Sequence, residues 1–121
     1  MRSLPMLAFV AALIFTLVMA WLPHPPLVPW HQDDKFWHVL AFVTLSFLAS
    51  LAFPAAPLAR IGERLSFLGA IIEMVQNIPA LHRDSDVADW IADTIAVVVT
   101  LAIVAGIRRL RAHRRTEVNA P

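Results

Sequence analysis

No charged side chain occurs between Leu4 and Leu22, and the chain beyond is built from further apolar runs that stop at prolines or at isolated acids. The hydrocarbon of a bilayer takes about 20 helical residues to cross. A soluble helix of that length shows a polar stripe at 3.6-residue spacing, and most segments here lack one. Of the 121 residues, 59% are hydrophobic and only 16% charged, a balance outside that of ordinary soluble domains. The length allows one domain. The expected class is an integral membrane protein.

The run Leu4–Leu22 fits a signal peptide, with Val18-Met19-Ala20 as a loose cleavage site, or an uncleaved first span. Its apolar core is longer than that of an ordinary signal and Met19 has bulky neighbours, which favours a retained span. Four prolines (Pro23, Pro25, Pro26 and Pro29) then break the chain. Trp21 and Trp30 suit the membrane–water boundary, with the indole N–H wet and the rings in lipid. Asp33 or Asp34 can cap a second helix over about residues 35–53, which stops at Pro54. On it, Thr44, Ser46 and Ser50 can bond back to their own backbone. After the turn Pro54-Ala55-Ala56-Pro57, Leu58–Arg64 reads as an interfacial entry to a third helix over about residues 58–78, ended by Pro79. Asp84, Ser85 or Asp86 can cap a fourth helix over about residues 86–107.

With four spans, Arg2, Arg60, Arg64 and the tail arginines 108, 109, 111, 114 and 115 fall on one side of the membrane. The other side carries Lys35 and Arg83, outnumbered by acids. The positive-inside rule then makes both termini cytoplasmic. The prediction is an all-α, polytopic protein of the cytoplasmic membrane. Residues 1–107 form a four-helix transmembrane domain and 108–121 a basic cytoplasmic tail. Beside an apolar run such a tail marks a helix end rather than a nucleic-acid site, so the bilayer is the expected partner and nucleic acid is not. The chain has no cysteine, which excludes disulfides, thiol catalysis and thiolate metal sites.

This topology brings the start of the second helix, the end of the third and the start of the fourth to the extracytoplasmic side. Lys35 and His38, Glu73 and Gln76, Arg83 from the loop, and Asp89 and Asp93 then converge as a polar cluster. Glu73 lies about 7 Å from the end of its helix, at 1.5 Å rise per residue. In low dielectric such groups must pair, bind a cation or change protonation. The candidate pairs are His38 with Glu73 or Asp93, and Arg83 with Asp86 or Asp89. Capping and solvation account for Asp84 and Asp86, and Lys35 can snorkel. Glu73 is the hardest to explain structurally, because a buried Gln would serve at lower cost.

Glu73 and His38 are the candidates for acid–base catalysis. His38, Glu73, Asp89 and Asp93 offer a nitrogen and several oxygens open to Zn²⁺, Mn²⁺ or Mg²⁺. No HExxH or comparable spacing accompanies them, so neither a metal nor a cofactor is expected. Ser66 and Ser85 lack a G-x-S-x-G setting, and Gly62, Gly69 and Gly106 do not make a phosphate loop. His24, His31 and His82 read as loop residues.

Asp34-Lys35-x-x-His38, Glu73-x-x-Gln76, Arg83 and the D-W-I-A-D run from Asp89 to Asp93 resemble the VanZ-like membrane proteins. The resemblance spans about residues 34–96 in consistent order. That family has several membrane helices and is named for a protein associated with resistance to glycopeptide antibiotics, teicoplanin in particular. The resemblance places the family's polar signature on Lys35, His38, Glu73, Gln76, Arg83, Asp89 and Asp93. Two positions depart from it: Asp93 stands where Asn is common, and Ala96 where Gly is usual. The implied function is recognition or handling of a cell-envelope component, such as a lipid-linked wall precursor or an amphipathic antibiotic. The alternatives are an acid–base or metal-dependent enzyme on a lipid-linked substrate, and a small proton-coupled transporter or scramblase.

Overall fold

The computed structural model describes residues 3–21, 34–76 and 87–119, and their side chains save those of Asp34, Lys35 and Gln76. Within them the chain is all-helical, in the order α1 (Ser3–Trp21), α2 (Asp34–Ala52), α3 (Leu58–Gln76) and α4 (Val87–Asn119). The first three helices fall within two residues of the expected helix bounds at each described end. Trp30, Arg83, Asp84, Ser85, Asp86 and the loop histidines lie outside the described residues.

The turn between α2 and α3 follows from its prolines. Ala56 donates to the Phe53 carbonyl at 3.1 Å and closes a tight turn. The Pro57 carbonyl accepts from Arg60 at 3.0 Å and from Ile61 at 3.2 Å, so Pro57 starts the next hydrogen-bond ladder while lacking an N–H to leave unpaired. Ser46 Oγ donates to Phe42 O, Ser50 Oγ to Phe47 O and Thr44 Oγ1 to Leu40 O, at 2.6, 2.7 and 2.9 Å. Each hydroxyl is satisfied by its own helix, as the sequence suggests.

Successive helices run antiparallel. The rings of Phe9, early in α1, and Phe53, just past α2, meet edge-on at 5.6 Å. His38 near the start of α2 and Asp93 near the start of α4 are in contact, and so are Ser50 near the end of α2 and Arg108. Thus α2 and α4 are parallel. An alanine Cβ at Gly62 would face Leu101 and Val97, and one at Gly69 would face Trp90 and Asp93, so α3 runs opposite to both. The core is a seam of Phe42, Leu45, Ala49, Ile61, Leu65, Ile72, Ala96, Val97 and Leu101. α1 packs against this seam through partly buried residues such as Phe9, Leu13 and Leu17. Ala96 is buried there at 7% exposure, so its methyl is accommodated at the helix contact.

α4 departs from expectation at its far end: the helix does not stop at Ile107 but continues to Asn119. The composition change at Arg108 ends the apolar segment without ending the helix. Arg, Ala and Leu favour helix and no proline intervenes. Thr116 Oγ1 donates to Ala112 O at 3.0 Å, and His113 faces Glu117 one turn later at 3.1 Å. At its root, the Arg108 guanidinium donates to Ser50 O at 2.9 Å. That bond satisfies a carbonyl in the last turn of α2 and sets a cation at the negative end of its dipole.

Two helices, α1 and α4, are long and apolar enough to cross a membrane. The apolar part of α2, Phe36–Ala52, is shorter, and α3 opens with Arg60, Glu63 and Arg64. None of the apolar window of α1 and only 33% of that of α4 is buried inside the bundle. Leu7, Ile14 and Phe15 on α1, Leu40 and Phe47 on α2, and Ile95, Val98 and Ile103 on α4 all point outward. Trp21 differs from the wet-indole expectation: its Nε1 is buried with no hydrogen-bond partner among the described residues.

Candidate functional site

The antiparallel order carries three polar side chains from three helices to one end of the bundle. His38 lies in the second turn of α2, Glu73 one turn from the described end of α3, and Asp93 in the second turn of α4. His38 Nδ1 and Asp93 Oδ2 are 3.2 Å apart, and the imidazole N–H donates to the carboxylate. Glu73 Oε1 is 3.7 Å from the same nitrogen, which is an electrostatic contact rather than a hydrogen bond of good length. Asp93 is fully buried at 0% exposure and Glu73 is 7% exposed.

Helix spacing explains why these positions converge. Asp89, Asp93, Ala96, Val97, Thr100, Leu101 and Val104 are the buried positions of α4, three or four apart, so one stripe of the helix faces inward along its length. The acids occupy that stripe's first two turns, and aliphatic residues with Thr100 the rest. Asp89 is buried at 5% exposure, one turn before Asp93. Donor atoms of His38, Glu73 and Asp93 all lie within 4.8 Å of one another. Asp89, the fourth of the possible donors read from the sequence, is not in that group. Of the other expected site residues, Lys35 sits in the first turn of α2 and Gln76 ends the described part of α3. Arg83 lies outside the described residues.

Neutral hydrogen bonds beside the site fix α3 against α4, and sequence reasoning did not anticipate them. Ser66 Oγ and Thr94 Oγ1 are 2.9 Å apart, and Trp90 Nε1 donates to the Ser66 carbonyl at 2.9 Å. The second bond reaches a backbone oxygen already used by helix α3, which no residue spacing encodes. Gly69 allows the approach. A Cβ there would lie 3.3 Å from Trp90 Cδ1, 3.4 Å from Asp93 Oδ2 and 3.5 Å from Phe42 Cζ. The lone glycine amid apolar residues in α3 was the available signal.

Two carboxylates and an imidazole in one buried group can exchange a proton among themselves, hold a cation, or orient a polar headgroup. No family model, curated protein or solved structure matches the chain.

Proposed function

We propose that this chain is a multi-pass protein of the cytoplasmic membrane, VanZ-like in character, whose polar cluster handles a cell-envelope component. The observation that carries the reading is the meeting of the partly buried His38 with the buried Glu73 and Asp93, each from a different helix. Such groups are expensive at membrane depth. They are also unnecessary for holding α3 to α4, because Ser66, Thr94 and Trp90 already do that without charge. The outward-facing apolar side chains on α1, α2 and α4 support lipid as the surrounding medium, since soluble surfaces rarely present so many contiguous ones.

In this reading all four helices are spans. The start of α3 and the arginine-rich part of α4 share the cytoplasmic end, with both termini, by the positive-inside rule. His38 lies twelve residues from Ser50 along α2, so the cluster is about 18 Å from the arginine end, towards the opposite face. Lys35 and Arg83 are the cations assigned to an anionic headgroup such as the phosphate of a lipid-linked wall precursor. His38, Glu73 and Asp93 set its orientation and proton state. A glycopeptide-type antibiotic response follows from handling such a precursor.

The test is complementation. In a strain whose envelope-antibiotic sensitivity depends on this gene, Arg83→Ala and Glu73→Gln should abolish the effect while the proteins still insert and accumulate. Unchanged sensitivity for both refutes the proposal.

The His38–Asp93 hydrogen bond favours one second reading, an acid–base enzyme on a lipid-linked substrate. A base held by a carboxylate, with a further carboxyl at 3.7 Å, has the parts for proton transfer. Turnover of polyprenyl phosphates or wall lipids by purified protein, lost in His38→Gln, supports it. Inert protein, with and without divalent metal, counts against it.

A further inference from the structure

We propose that His38, Glu73 and Asp93 bind one divalent first-row cation, Zn²⁺ or Mn²⁺, through His38 Nδ1 and one oxygen of each carboxylate. Three observations combine. The first is geometric. Two donors about 2.1 Å from a Zn²⁺ ion stand about 3.4 Å apart across a tetrahedron. Here His38 Nδ1 is 3.2 Å from Asp93 Oδ2 and 3.7 Å from Glu73 Oε1. Donor atoms of all three fall within 4.8 Å of one another, so closing on a cation takes side-chain rotation and no movement of a helix.

The second is an unmet need. Asp93 is wholly buried, and its Oδ2 is engaged by His38; its Oδ1 has no hydrogen-bond partner among the described residues. A buried carboxylate oxygen left in this way is unfavourable, and a cation beside the carboxylate removes the cost. The third is charge. One neutral imidazole and two carboxylates carry two negative charges, which a divalent ion cancels within a low-dielectric bundle. One nitrogen and two oxygens suit Zn²⁺ or Mn²⁺ and exclude a thiophilic ion. Three protein donors leave at least one coordination position open, which is the arrangement of a site that binds a ligand rather than one that only stiffens a fold. Water or a phosphate oxygen would occupy that position.

This inference deepens the ligand-handling reading of the same cluster and is separable from it, because metal uptake is measured on purified protein with no lipid ligand. Full-length protein in detergent is stripped with chelator and equilibrated with Zn²⁺ or, separately, with Mn²⁺. After desalting it is assayed for metal by elemental analysis. The expectation is close to one ion per chain for at least one of the two metals. His38→Gln and Asp93→Asn each weaken binding at least a hundredfold in calorimetric titration. X-ray absorption on the Zn²⁺-loaded wild type then reads one imidazole and the rest oxygen.

Failure of both ions to bind stoichiometrically overturns the proposal. So does a spectrum with two or more imidazoles, which puts the ion on other histidines, or full affinity retained in both variants. Should either variant fail to fold, the wild-type spectrum alone decides. Metal binding without any change in envelope sensitivity in the Arg83→Ala and Glu73→Gln strains would retain the site and remove the envelope function. The converse result would do the opposite.

Discussion

The three glycines offer the same perturbation in three surroundings, and the structure ranks the outcomes. Replacing glycine with alanine inside a helix gains about 1 kcal/mol of intrinsic helical preference. At Gly106 nothing lies within 4 Å of the added methyl, so that gain should appear undiminished. At Gly62 the methyl meets Leu101 Cδ1 at 3.3 Å, the far end of a flexible side chain that can rotate away, and the net effect should be near zero. At Gly69 the methyl meets Trp90 Cδ1 at 3.3 Å, and the indole cannot give way cheaply because its N–H is bonded to Ser66 O at 2.9 Å. Phe42 and Asp93 close the other sides and both are essentially inaccessible. Overpacking of this kind costs about 1–3 kcal/mol, which cancels the intrinsic gain or exceeds it. The expected order of stability is Gly106→Ala, then Gly62→Ala, then Gly69→Ala, with about 1–3 kcal/mol between the extremes. The assay is denaturant unfolding in one detergent, followed by far-ultraviolet circular dichroism. Gly69→Ala as stable as Gly106→Ala would refute the claim that Trp90, Asp93 and Phe42 leave no room for a side chain at Gly69.

Other consequences follow from single contacts. Trp90→Phe removes the bond to Ser66 O while keeping most of the ring, and should cost about 0.5–1.5 kcal/mol in the same unfolding assay. Ser66→Ala removes the hydroxyl contact with Thr94 but leaves that backbone acceptor, so its effect should add to that of Trp90→Phe within a few tenths of a kcal/mol. Arg108→Ala releases the Ser50 carbonyl at the end of α2 and should lower stability by about 1 kcal/mol; no change would mean that the 2.9 Å bond contributes nothing in solution. In a double-mutant cycle, His38→Gln and Asp93→Asn should show coupling of about 1–3 kcal/mol in metal-free protein. Simple additivity would deny the 3.2 Å pair.

Much of this molecule is visible in sequence because its chain breaks, apolar runs, helical period and charge are each read along the chain. Prolines stop α2, hydrophobic runs mark α1 and α4, and the inward stripe that holds Asp89 and Asp93 is a plain three-and-four spacing. The antiparallel order was reached by reading four successive spans, and the arginines supplied its expected orientation. That order is what carries His38, Glu73 and Asp93 to the same depth. The end of α4 was misplaced for a related reason: a run of arginines marks where lipid contact should stop, and it says nothing against continued helix. Which members of the polar cluster meet was not legible in the same way. Depth places residues in a layer, but rotation about each helix decides which face one another, and rotation is set by the packing of Gly69, Trp90 and Phe42.

Rotation also bears on what the cluster is for. Asp89 and Asp93 are equivalent by spacing and both are buried, yet only Asp93 reaches His38. Asp93 also borders α3, where a Cβ added at Gly69 would lie 3.4 Å from its Oδ2. A side chain at Gly69 would therefore act on the same oxygen that holds His38. If the site binds a cation or a headgroup, Gly69→Ala should impair binding more than its modest loss of stability explains. Val97 and Leu101, the neighbours of Gly62, lie about one and two turns beyond Asp93 along α4 and outside the cluster, so Gly62→Ala should not. Metal affinity measured on these two variants, with unfolding free energies from the same preparations, separates a site held in tension by its packing from one that is simply near it. Equal affinity in both would show that the geometry of Asp93 is maintained by His38 alone.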